Sequence, residues 1–150
     1  MTVIKLSSSE LMSAAVTGAL RRITSLQNKL NPDIYHASGN EWSTDIDGAA
    51  AEMALSKHLG VYWSAHVNSM KGPDVRNLQV RSTHYKDGCL IIRERDNPEQ
   101  DYVLIVSAAP NYTIVGWMCA HEARQDKYFR KSTSGLDAWW VPQKDLHKLT

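Results

Sequence analysis

Apolar and polar positions follow two different periods along this chain, and the change of period divides it. Met12, Val16, Ala19, Ile23, Leu26 and Leu30 recur at spacings of four and three, the repeat of one face of an α-helix. Ser7, Ser8 and Ser9 ahead of Glu10 offer hydroxyl caps, so a helix is predicted from about residue 9 to residue 30. Asn31-Pro32 ends it, and the polar stretch 33–44, with Gly39 and Asn40, reads as a loop. A second helix is predicted over 48–59, capped by Asp45 or Asp47 and closed by Gly60. Its alanines permit close approach to a sheet, with Ala51, Leu55 and either Ala54 or His58 on one face and Glu52 at the edge of that face.

Residues 61–71 are irregular and hold Trp63, His66 and Met70, after which Gly72-Pro73 turns the chain. From Leu78 the period is two. Strands are predicted over 78–83, 89–93, 102–107 and 112–119, separated by Lys86-Asp87-Gly88, Asp96-Asn97-Pro98-Glu99 and Pro110-Asn111. They read as an antiparallel meander with Val103, Ile105, Ile114 and Trp117 in its core. A short helix over 120–129, a loop over 131–135, a strand over 138–141 closed by Pro142 and a terminal helical turn over 143–149 complete the order. That order predicts an α/β fold in α+β order: a mixed sheet of about five strands flanked by helices.

Composition narrows the function classes more than the fold. At 150 residues the chain is read as one domain able to bury a core, with an N-terminal helix and loop over 1–44, a main body over 45–141 and a terminal turn over 142–150. A formal net charge of +1 gives no global attraction to a polyanion, so any nucleic-acid surface must be a local patch. Cys89 and Cys119 sit in apolar β-like runs and read as buried thiols of a reducing compartment, so a cytoplasmic protein is expected. No window approaches the roughly 20 apolar residues of a membrane span. Phosphate-binding glycine loops are missing, which argues against nucleotide hydrolysis. His58, His66, His84 and His121 are scattered without CxxC or HxxxH spacing, and the residue four after His121 is Gln125, so no zinc site is expected.

The candidate chemistry lies around Asp74. Pro73-Asp74 stands four residues ahead of Leu78-Gln79-Val80-Arg81, a strand pattern that puts Gln79 and Arg81 on the face opposite Leu78 and Val80, and Glu52 sits on the helix upstream. This resembles the PD-(D/E)XK, or restriction-endonuclease-like, nuclease superfamily, in a divergent form like that of small phage and mobile-element proteins, with Gln79 and Arg81 where the family has an acid and a lysine. The resemblance covers about residues 45–141. It implies an αβββαβ core with an extra N-terminal helix, and Mg- or Mn-dependent hydrolysis of DNA by an endonuclease or exonuclease. Asp74 would ligate the metal, and Glu52 would be the second acid or hold a metal-bound water. Gln79 would coordinate through its amide oxygen and Val80 through its backbone carbonyl, while Arg81 would clamp the phosphate. Such cleavage needs a hard cation on carboxylate oxygens, an activated water and a positive group for the phosphate. Arginine cannot serve as general base, so the metal alone would have to activate the water.

Arg76, Arg81, His84, Lys86 and Arg93, with Arg95, lie in neighbouring β segments and are candidates for a phosphate-tracking patch on DNA. One of Trp139 and Trp140 must face outward. The alternative is a catalytically inactive module on the same fold that binds nucleic acid or protein. Because cutters of both strands commonly work in pairs, a homodimer stays open.

Overall fold

Ser7 starts the first long helix with a reciprocal pair of hydrogen bonds. Its hydroxyl accepts from the Glu10 amide at 3.2 Å while its own amide donates to the Glu10 carboxylate at 2.6 Å. The structure, a computed structural model, describes residues 1–28, 40–67, 72–133 and 135–150. Helix α1 spans Ser8–Gln27 and is preceded by a short strand, β1, over Thr2–Lys5 that the sequence pattern is too short to announce. The predicted end of α1 at Asn31-Pro32, including Leu30, lies outside the described residues, as do most of the predicted loop and Met70.

Helix α2 spans Glu41–Leu59, beginning earlier than predicted, so that Asp45 and Asp47 lie inside it and do not cap it. It ends where expected, at Gly60 in the left-handed conformation. The two helices meet through small residues. A Cβ on Gly18 would come within 2.5 Å of the Ile46 Cα, and α1 buries Ala14, Thr17, Gly18 and Arg22. The apolar stripe read from the sequence points the other way: Met12, Val16, Ile23 and Leu26 are exposed. Side chains of that size would hold the helices apart, and the small face wins the crossing.

Among the described residues the strands form two sheets, not one sheet of five. The larger has the order β1-β5-β4-β2, with β2 over Leu78–Thr83, β4 over Asp101–Ala108 and β5 over Asn111–Cys119. The smaller has the order β3-β7-β6, with β3 over Leu90–Arg93, β6 over Phe129–Arg130 and β7 over Ala138–Val141. The expected meander is corrected accordingly. β3 leaves for the second sheet, and the chain returns so that β4 lies parallel to β2, with Val80 opposite Val103. The predicted helix over 120–129 is a single turn, α3, over Ala120–Ala123, followed by a 3₁₀ turn at Asp126–Tyr128 and then β6. A second 3₁₀ turn at Gln143–Asp145 stands where the terminal helical turn was expected.

Two apolar clusters lie on opposite faces of the larger sheet. Leu78, Val103, Ile105 and Ile114 pack with Ala14 and the alanines of α2. Tyr102, Leu104 and Met118 pack with Leu90, Ile92 and Val141 of the smaller sheet. The layers therefore run α1, α2, larger sheet, smaller sheet. β2 is an edge strand of the larger sheet.

Candidate active site

Asp74 is fixed by the turn that starts β2. Its amide donates to the Leu78 carbonyl at 3.0 Å, and Val75 and Leu78 form an isolated antiparallel bridge. The reversal needs Arg76 at φ +53°, a costly conformation for a non-glycine residue that persists only where its surroundings enforce it. Folded back in this way, the carboxylate accepts the Val80 amide through Oδ2 at 2.7 Å. Gln79 braces the same turn from below, its Nε2 donating to the Gly72 carbonyl at 3.0 Å.

Glu52 enters from α2 and is buried. Arg21 of α1 grips both its oxygens, with Nη1 to Oε1 at 2.8 Å and Nη2 to Oε2 at 2.9 Å, and Trp63 Nε1 donates to Oε2 at 3.2 Å. The third guanidinium nitrogen, Nε of Arg21, donates to the His66 carbonyl at 3.0 Å. Glu52 and Asp74 share one neighbourhood. Burial first, and then the negative charge of Glu52, push the Asp74 carboxyl up to about 6, against the opposing pull of the Val80 amide, Arg21 and His66. Burial works against the Arg21 charge, yet the Glu52 carboxylate holds Arg21 above the ordinary arginine value.

Of the sequence candidates, Asp74 and Val80 are thus hydrogen-bonded, and Glu52 is near enough to act on the Asp74 charge. Along a strand, the N–H and C=O of one residue point to the same side. The Val80 amide meets Asp74, so the Val80 carbonyl also lies on the free edge of β2. Asp74 Oδ1 has no hydrogen-bond donor among the described residues. Asp74 Oδ1 and the Val80 carbonyl are therefore open oxygen donors of the kind that suits a hard divalent cation, whereas both Glu52 oxygens already accept from Arg21 and Trp63 and would have to exchange those donors for a metal. Among the described residues no group of three His, Cys, Asp or Glu side chains converges, so water would have to complete the coordination.

The other candidates are placed differently. Gln79 and Arg81 share register with Tyr102 and Leu104 on the face of the sheet turned away from α2. Arg81 pairs there with the buried Asp96 at 2.7 Å and lies over the Tyr102 ring at 4.9 Å. It does not stand beside the acids, because its side of the strand carries Asp96 and Tyr102, which engage it; Arg21 is the cation paired with Glu52. Gln79 uses its amide to brace the turn. Arg76 precedes β2, whereas His84 and Lys86 follow it, at the other end of a strand roughly 20 Å long. Arg93 is on the second sheet, lining an open cleft of about 490 Å³ with Arg130, Lys131 and Trp140. The basic residues form no single patch around Asp74. Arg21 was absent from the sequence reading, and Trp63 and His66 were noted there without being assigned to the site. The available signal was an arginine continuing the Ala14, Thr17, Gly18 face of α1.

No described helix is long and apolar enough to cross a membrane. Comparison with family models, with curated proteins and with solved structures returned no match for this chain.

Proposed function

We propose that this chain is a divergent PD-(D/E)XK-like phosphodiester hydrolase that cuts DNA with Mg²⁺ or Mn²⁺ held at Glu52, Asp74 and the Val80 carbonyl. The observation that carries the reading is the meeting of two acids from distant parts of the chain, close enough for Glu52 to raise the Asp74 pKa. A divalent cation bound there would supply a Lewis acid for the phosphoryl oxygen and lower the pKa of a bound water. Asp74 offers Oδ1 and is aimed by the Val80 amide. Glu52 is oriented by Arg21 and Trp63. Arg21 takes the part that the resemblance gives to Arg81, a fixed cation beside the acids.

A second reading, a non-catalytic module binding nucleic acid, is favoured by the bidentate grip of Arg21 on Glu52. That grip supplies positive charge where a metal would. Calorimetric titration of Mn²⁺ at pH 7.5 separates the two. The hydrolase reading expects one site in the wild type, its loss in Asp74→Asn, and Mn²⁺-dependent nicking of plasmid DNA by the wild type alone. Affinity should also rise as pH passes 6, where Asp74 ionises. A wild type that takes up no metal at millimolar concentration loses the hydrolase reading and leaves the binding module.

A further inference from the structure

The outer face of α1 is an apolar strip, exposed among the described residues. Met12 is 67% exposed, Val16 54%, Leu20 47%, Ile23 39% and Leu26 56%. Contiguous apolar patches of more than a few hundred Å² are uncommon on monomers and mark interaction surfaces. Met12, Val16, Ala19, Ile23 and Leu26 follow the four-three-four-three spacing of a coiled-coil seam. Such spacing suits one partner in particular, another helix of the same period.

Charge narrows the occupant further. Every charged side chain of α1 is used inside the protomer: Glu10 with Lys57, Arg21 with Glu52 and Arg22 with Asp45. The outer face keeps Ser9, Ser13, Ala15 and Gln27 beside its apolar residues, with no charge to select an acidic or basic partner and none to repel an identical surface. Charge depletion at the centre of a patch is the compositional mark of an interface core. The spacing is also self-complementary. Two copies of α1 laid antiparallel about Ala19 set Met12 against Leu26 and Val16 against Ile23, each large residue meeting a large one. The small Ala19 sits at the axis, where two backbones must approach, and antiparallel helix dipoles favour the arrangement. A helix of 20 residues is about 30 Å long, long enough for two strips and their flanks to approach the roughly 1,200 Å² at the lower end of specific interfaces.

We propose that α1 is a homodimer interface, closed by a second copy of this chain packed antiparallel across a two-fold axis through Ala19. The inference is independent of the hydrolase reading, because it uses the face of α1 opposite Arg21. Sedimentation equilibrium on the full chain tests it. The wild type should be dimeric at tens of micromolar, and Val16→Glu with Ile23→Glu should shift the dissociation constant at least a hundredfold towards monomer. Both side chains are exposed in the protomer, so the variant should keep the wild-type far-UV circular dichroism. A second variant covers a failure of that one to fold: Ala19→Cys should give an intermolecular disulfide under mild oxidation, in excess of any formed by the wild type. A monomeric wild type at 100 μM, a double variant as dimeric as the wild type, or no added cross-link from Ala19→Cys would each overturn the proposal.

Discussion

Asp74 carries a consequence for stability that runs against the usual carboxylate behaviour. Its folded value is about 6 against an ordinary 3.8, so between about pH 4 and pH 6 the folded protein holds a proton that the unfolded chain has lost. Stability therefore falls as pH rises through that window and levels off above it. Asp74→Asn should flatten the slope and make the protein more stable at pH 7 by on the order of 1 to 2 kcal/mol, measured by urea unfolding at pH 4.5 and pH 7. Equal slopes in wild type and variant would place the carboxylate in water. At this scale the sequence was partly legible. Pro73-Asp74 and Glu52 stood out because an acid at the mouth of a strand and an acid in an alanine-rich helix are both unusual. Arg21 and Trp63 did not, since which side chain from another element meets Glu52 is decided by the crossing of helices. Arg81 was misplaced for a different reason. Alternation says which side of a strand a residue takes but not what covers that side, and here a second sheet does.

The crossing of α1 and α2 rests on one close approach. Because a methyl at Gly18 would run into the Ile46 backbone, Gly18→Ala should destabilise the protein by roughly 1 to 3 kcal/mol by forcing the helices apart. Thermal unfolding would detect this as a fall of several degrees. An unchanged melting temperature would mean that the helices slide without cost. α1 was legible from its period and α2 from its alanines and the glycine that ends it. The inward face of α1 was not legible. Its large stripe and its small stripe repeat equally well, and only the packing of α2 against the sheet decides that small residues go inside. The strands were legible in position but not in pairing. The Lys86-Asp87-Gly88 signal suggested a hairpin between β2 and β3, whereas the two belong to different sheets.

The molecule as a whole is held by two cores that share one sheet. Leu55 is fully buried on the helical side and Leu90 on the side of the smaller sheet. Truncating either to alanine should cost about 2 to 5 kcal/mol. Because both cores grip β4, the two variants should each unfold in one transition seen alike by far-UV circular dichroism and tryptophan fluorescence. Separate transitions would divide the chain into two folding units. The predicted order, two long helices followed by strands, survives at this scale apart from β1, which precedes α1. The single five-stranded sheet does not, because β3, β6 and β7 pair with one another in a sheet of their own.

The parallel pairing of β2 with β4 also sets a schedule during translation. Arg21, Glu52, Asp74 and Val80 are all synthesised within the first eighty residues, yet the strand that steadies β2 arrives only with Asp101–Ala108. β1 in turn waits for Asn111–Cys119 before it finds a neighbour. A nascent polypeptide thus carries its acids before the strand that steadies them exists, and their site assembles only after Asp101–Ala108 has been made.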